Sequence, residues 1–179
     1  VHFRSARSFD FPDSLGSPLD ALLDETVIYE GDTIRFYSSE DRLSIRGSGR
    51  MVYHENELAS QEIDYFADDE LVVAKGEPKL RDGASEVVGE RMTYRTDERE
   101  GMVYQGKTAF DGGYYYGKEI KKLSDDVLLV KDGQYTTCAE DPPHYSFHSS
   151  KMKLMMKDKA VARPVILHIR GIPVFAIPY

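Results

Sequence analysis

The chain of 179 residues carries 31 acidic and 23 basic side chains, a formal charge of −8 at neutral pH. That length suits one domain with a buried core, and that sign excludes the concentrated positive field needed to hold nucleic-acid phosphates and a purely electrostatic dock on anionic lipid. Twelve Tyr and eight Phe without a Trp lean toward strands, and no apolar run approaches the roughly eighteen residues of a membrane-crossing helix.

In chain order, the sequence begins at Val1 with no basic-then-apolar leader, which reads as a piece of a longer protein. From Asp13 to Glu25, Leu15, Leu19, Leu22 and Leu23 have the spacing of a short amphipathic helix. Residues 1–26 are therefore read as an irregular or helical extension, and 27–179 as one β domain. From Asp32 onward the apolar period is two. Ile34 and Phe36 alternate with Thr33, Arg35 and Tyr37, and Leu43 and Ile45 with Arg42, Ser44 and Arg46. Met51 and Tyr53 follow, Ile63 and Tyr65 flank Asp64, and Leu71, Val73 and Leu80 come next. Met92 and Tyr94 alternate with Arg91, Thr93 and Arg95, and are followed by Met102, Tyr104, Phe110 and Ile120. Leu128 and Val130 precede Met152 and Leu154, which alternate with lysines. Strict alternation turns one face inward and the other to water, so these apolar residues are predicted to face inward.

The strands repeat. One unit runs from Leu43 to Glu70, the next from Leu71 to Arg99, a third opens at Glu100 and a fourth at Leu128. Gly49, Gly76, Gly106 and Gly133 lie 27, 30 and 27 residues apart, and acidic turns recur around Asp69, Asp97 and Asp125. Such a unit cannot bury its own apolar face, so stability must come from stacking copies. A parallel β-helix and an open antiparallel jelly-roll trough both satisfy this. The half-polar alternation favours the antiparallel trough, because parallel sheets tend to read as continuous apolar runs.

The segments ASQEIDYFADDELVVAKGEPKL (59–80) and GERMTYRTDEREGMVYQGKTAF (89–110) resemble the organic-solvent-tolerance (OstA) repeat. That repeat occurs in periplasmic lipopolysaccharide-transport bridge proteins and in the N-terminal part of the outer-membrane translocon subunit LptD. The run from Asp132 to Tyr179 is similar to the segment joining that periplasmic domain to its barrel, with a Tyr-Thr-Thr-Cys element, a His-Tyr strand, a Lys-rich strand and an apolar end. The resemblance implies an all-β, taco-like antiparallel jelly roll at the periplasmic face of the outer membrane. Its interior groove would hold the acyl chains of lipid A, so the inward residues named above become groove-lining candidates as well as core. It also implies edge-strand docking of a periplasmic bridge protein near Val27 to Tyr37. A segment near Val165 to Phe175 would lead toward a barrel with its plug lipoprotein. Cys138 stands where the family often forms a disulfide to the barrel, yet it is the sole cysteine, so any partner would lie outside this chain.

Other chemistry reads weakly. Cys138, His144 and His148 are metal-ligand types at a spacing that matches no familiar zinc site, with no fourth ligand. Paired acids such as Asp68-Asp69 recur with the turns, as structural turns do, so neither catalysis nor a cofactor is expected. Gly112-Gly113 before Tyr114, Tyr115 and Tyr116 reads as an edge strand, or as a bulge with an exposed aromatic patch. A free-standing bridge protein and a β-helix enzyme acting on polysaccharide are the alternative readings.

Overall fold

The computed structural model describes residues 27–53, 56–82, 85–98, 100–110, 112–124, 127–155 and 159–177. The helix predicted over 13–25 lies outside them. Alternating apolar and polar residues, broken by acidic turns, give the strands β1 (Val27–Glu30), β2 (Thr33–Tyr37), β3 (Arg42–Tyr53), β4 (Asn56–Phe66) and β5 (Leu71–Lys75). There follow β6 (Lys79–Asp82), β7 (Ser85–Val88), β8 (Arg91–Arg95), β9 (Glu100–Phe110) and β10 (Gly113–Ser124). The last are β11 (Val127–Thr136), β12 (Tyr145–Met155), β13 (Lys159–Arg163), β14 (Val165–Ile169) and β15 (Ile172–Ile177). Every pairing is antiparallel, and all belong to one continuous sheet. A trough, not a parallel β-helix, is the result.

Each sequence repeat is one long hairpin: β3 with β4, β9 with β10, β11 with β12. In the second copy the hairpin is interrupted twice. Gly76, Glu77 and Pro78 separate β5 from β6, and Gly89 and Glu90 separate β7 from β8. The long strands cross the sheet from one half to the other. In the first half β3 and β4 pair through Ile45 and Ile63, and in the second half through Met51 and Leu58. The halves face each other, with Met51, Leu58, Leu80, Val87 and Tyr115 of the second packed on the buried core of the first.

The sheet folds along a line of small residues. Gly106, Gly117, Gly133 and Ser149 are paired in succession across β9 to β12, and Gly49 pairs Ser60 across β3 and β4. A Cβ on Gly117 would lie 2.5 Å from Val130 Cγ1, and one on Gly106 would lie 2.7 Å from Ile120 Cδ1. Along the same line β3 keeps its phase, from Ile45 to Gly49 and Met51, while one extra residue enters each of β4, β9, β10, β11 and β12. Buried residues are three apart there instead of two: Ser60 and Ile63, Val103 and Gly106, Gly117 and Ile120, Val130 and Gly133, Ser149 and Met152. Gln105 and Asp132, two of the inserted residues, have φ of 50° and 47°. Like a β-bulge, the insertion bends the strand and reverses the facing of every residue beyond it.

The outer face is held by charges. Arg46 donates two hydrogen bonds of 2.9 Å to the Asp64 carboxylate and Arg42 a third of 3.3 Å, while Arg50 bridges Glu30 and Glu57. Burial by itself would raise the Asp64 pKa, but hydrogen bonds from Arg46, Ser44 and Arg42 and the arginine charges outweigh it and hold the group below the usual aspartate range.

Ile63→Ala, at a fully buried position, is expected to lower unfolding free energy by about 2–5 kcal/mol in urea melts. The same change at Ile34, in the same row but 47% exposed, should cost about 1 kcal/mol or less. A depressed carboxylate pKa stabilises the fold fully above the unfolded value of about 4. That contribution is lost as pH falls through the lower folded value, so wild type but not Asp64→Asn should show that component of stability loss in melts taken below about pH 4.

Candidate functional site

The antiparallel register assembles the site. Ile34, Ile45, Ile63, Ala74, Met92, Val103, Ile120, Val130, Met152 and Ala162 are each paired with the next, forming one apolar row across β2, β3, β4, β5, β8, β9, β10, β11, β12 and β13. A second row beside it carries Phe36, Leu43, Tyr65, Val72, Tyr94, Gly101, Lys122, Leu128, Leu154 and Ala160. Burial pushes the Tyr65 hydroxyl up to about 12, so that side chain stays neutral. Facing them in the other half runs a third row: Tyr29, Met51, Leu58, Leu80, Val87, Thr108, Tyr115, Tyr135, Phe147, Leu167 and Phe175.

Near the N-terminal end and in the middle, the halves are packed shut. Ile45, Ile63 and Ala74 are at most 1% exposed. Toward the C-terminal end they part around a cleft of ≈ 310 Å³. Met152, Leu154, Ala160 and Ala162 form one wall and Tyr115, Tyr135, Phe147 and Val165 the other, with Ser149 at the crease. Tyr115 and Tyr135 have ring centroids 4.7 Å apart and Phe147 lies 6.4 Å beyond Tyr135, a continuous aromatic surface. Tyr115 thus turns inward. Its neighbours Tyr114 and Tyr116 point the other way, with Lys107 5.0 Å above the Tyr116 ring.

Most inward residues expected from the sequence lie in these rows. Tyr53 shares the face of Met51 at 39% exposure, and the side chain of Phe110 lies outside the described residues. Four expectations are corrected. Leu71, Val73, Met102 and Tyr104 are on the outer face, because Val72, Ala74 and Val103 take the paired inward positions. Tyr104 instead carries the Arg91 guanidinium over its ring at 4.2 Å. In both places three or four apolar residues are consecutive, so alternation does not define a phase. The third row was largely unforeseen. Leu58, Val87, Tyr115, Tyr135 and Phe147 fall beyond the crease, where the extra residue shifts the phase; the recurring glycines marked that line.

The polar candidates lie outside the groove. Cys138 Sγ is 3.4 Å from His144 Nδ1, and the Cys138 backbone N–H donates to Thr136 Oγ1 at 3.0 Å. Among the described residues no three His, Cys, Asp or Glu side chains group as metal ligands. His148 stacks on His168 at 3.9 Å and bonds Ser146 Oγ at 2.9 Å. Among the described residues four strands end the sheet: β1 and β2 pair only with β3, β13 only with β12, and β15 only with β14. All four carry exposed apolar side chains, among them Ile28 at 50%, Phe36 at 56%, Val161 at 43% and Ile172 at 66%.

The described residues thus form an open antiparallel β-jelly roll around an apolar groove. No family model matches the chain. It is similar to curated proteins named LPS-assembly protein LptD. The relative from Ralstonia nicotianae is 26% identical over 91% of this chain and 22% of its own length. One from Pseudomonas putida is 24% identical, covering 87% and 17%, and one from Burkholderia ambifaria 23%, covering 79% and 19%. The resemblance to the N-terminal part of LptD drawn from the sequence is borne out by these matches. The chain spans about a fifth of the length of those relatives. A solved structure of LptH, the LptA homologous periplasmic component of a lipopolysaccharide transport device from Pseudomonas aeruginosa, is 13% identical with a TM-score of 0.48, covering 55% of this chain and 76% of that one.

Burial, and then the adjacent His168, lower the pKa of His148. A depressed imidazole pKa means that protonation opposes the fold, so this contribution is complete above the unfolded value of about 6.5 and fades as pH falls through the folded one. Amide protection at β14, taken relative to the intrinsic exchange rate at each pH, should therefore fall below about pH 6.5 in wild type and respond less in His148→Gln.

Proposed function

We propose that this chain is the periplasmic lipopolysaccharide-binding domain of an outer-membrane translocon. Acyl chains of lipid A lie in the groove between the two sheet halves, which receives lipid from a periplasmic bridge protein and passes it toward a membrane barrel with its plug lipoprotein. One observation carries this reading: the apolar row from Ile34 to Ala162 runs unbroken from β2 to β13 and opens into the cleft at the C-terminal end. A chain of methylenes needs such a path, since each buried CH₂ gains about 0.8 kcal/mol. Met92 and Met152 on the path suit a mobile cargo, because the thioether side chain adapts to irregular contacts. The relatives are named as assembly proteins rather than enzymes. At the other end, among the described residues, β1 and β2 each pair on one side only, which suits strand addition by a bridge protein. The alternative of a free-standing bridge is less well supported, because β15 ends the sheet with Ile172, Val174, Phe175 and Ile177 exposed.

The test is photocrosslinking to lipopolysaccharide from probes placed singly at Leu43, Leu128, Tyr115 and Phe147, with Arg35, Thr93 and Leu129 as outer-face controls. Crosslinks confined to the inward set are expected; equal labelling of both sets would defeat the groove reading. Deleting Val27 to Tyr37 should abolish capture of a bridge protein while the remaining strands stay folded by circular dichroism. Unchanged capture would rule out docking at this edge.

A further inference from the structure

The outer faces of the two ends differ in how their charges are balanced. Toward the N-terminus most clustered cations are matched, Arg42 and Arg46 by Asp64, Arg50 by Glu30 and Glu57, Arg81 and Lys79 by Glu86, while among the described residues Arg35 and Lys75 stand singly. Lys121 and Lys131 still meet Glu100 at 2.6 Å and Glu119 at 3.0 Å. Past them the acids run out. Residues 151–163 include five basic side chains and one acid, in a chain whose total charge is −8. Lys151 is paired directly with Arg163 across β12 and β13, and Lys153 with Val161. Alternation puts these on the outer face, opposite the Met152, Leu154, Ala160 and Ala162 wall of the cleft. All four are exposed. Among the described residues, no acidic side chain pairs with Lys151, Lys153 or Arg163.

Apolar groups are interleaved with the charges. Leu129, Lys153 and Val161 form one row across three strands, with Leu129 36% and Val161 43% exposed. Cationic heads beside exposed apolar groups on a flat face fit a lipid–water boundary, where the lysine stems lie on hydrocarbon and the ammonium groups reach phosphates. A folded acidic protein would complement the charge but leave Leu129 and Val161 unexplained. The excess of acid elsewhere does not cancel the patch, because charges more than about 8–10 Å apart are screened at physiological salt.

We propose that the outer face of β11, β12 and β13 docks on an anionic phospholipid leaflet through Lys151, Lys153 and Arg163. The same strands carry the cleft on their inner side, so docking would hold the mouth of the groove against the membrane that receives its lipid. This rests on the transport reading above.

Flotation with vesicles separates the two. The whole chain is mixed with vesicles of phosphatidylcholine alone or of phosphatidylcholine with phosphatidylglycerol, as wild type and as K151Q/K153Q/R163Q. Binding only to the phosphatidylglycerol vesicles is expected, falling as salt rises. Each cation removed should weaken it about fivefold, on the order of 100-fold for the three. Equal partition into both vesicles, no binding to either, or full binding by the triple variant overturns the proposal. Lipopolysaccharide crosslinking at Leu128 reads the transport function separately and should persist in the triple variant. Its loss there would mean that these cations grip the cargo's own phosphates, and would also overturn membrane docking.

Discussion

Register is the constraint on which the rest of this structure depends. Because pairing is antiparallel and almost unshifted from β2 to β13, an inward residue on one strand is placed beside an inward residue on the next. Ile45, Ile63, Ala74, Met92, Val103, Ile120, Val130 and Met152 become one surface only for that reason. A slip of one residue anywhere would turn a whole strand's apolar set outward. The repeat is thus not decoration. Hairpins of similar length keep the rows aligned while the sequence of each copy drifts.

The crease turns that surface into a groove. Small residues let the sheet fold sharply, since at Gly106, Gly117 and Gly133 a methyl would strike Ile120 or Val130. The residue inserted in β4 and in β9 to β12 then brings the second half's apolar face round to meet the first. Where Ile45 and Ile63 meet Met51 and Leu58, the halves close. Where Ala160 and Ala162 stand opposite an aromatic wall, they remain apart. Groove and core are one set of residues, distinguished by what faces them.

Fold class was legible because turn chemistry and period-two alternation agree over most of the chain. Leu43 with Ile45, Ile63 with Tyr65, Met92 with Tyr94 and Met152 with Leu154 face inward as the alternation predicts, since each is flanked by polar residues that fix the phase. Runs such as Leu71 to Ala74 and Met102 to Tyr104 carry no such information, and their phase is set only by pairing with Tyr65 and Met92. The third row was hidden for another reason. Alternation extrapolated through Gln61, Gln105 or Asp132 arrives on the wrong face, because each of those crossings adds one residue, whereas β3 keeps its phase from Ile45 to Met51. The glycine spacing located the bend, but bends are not visible as parity changes until partners are known. The fold, the LptD resemblance and an apolar path agree with one another, while His148 and His168 lie on the outside of the trough.

The central claim is that lipid occupies the space between the halves. Ala162 offers the most direct test, because it lines the cleft from the edge strand β13 and is only half-buried, so a larger side chain can fill the cleft without invading packed core. Equilibrium binding of lipopolysaccharide to Ala162→Phe and to wild type, with melting temperature measured on both, decides the matter. Weakened binding at unchanged melting temperature is the predicted result. Undiminished binding by a folded Ala162→Phe protein would place the lipid elsewhere and contradict the account.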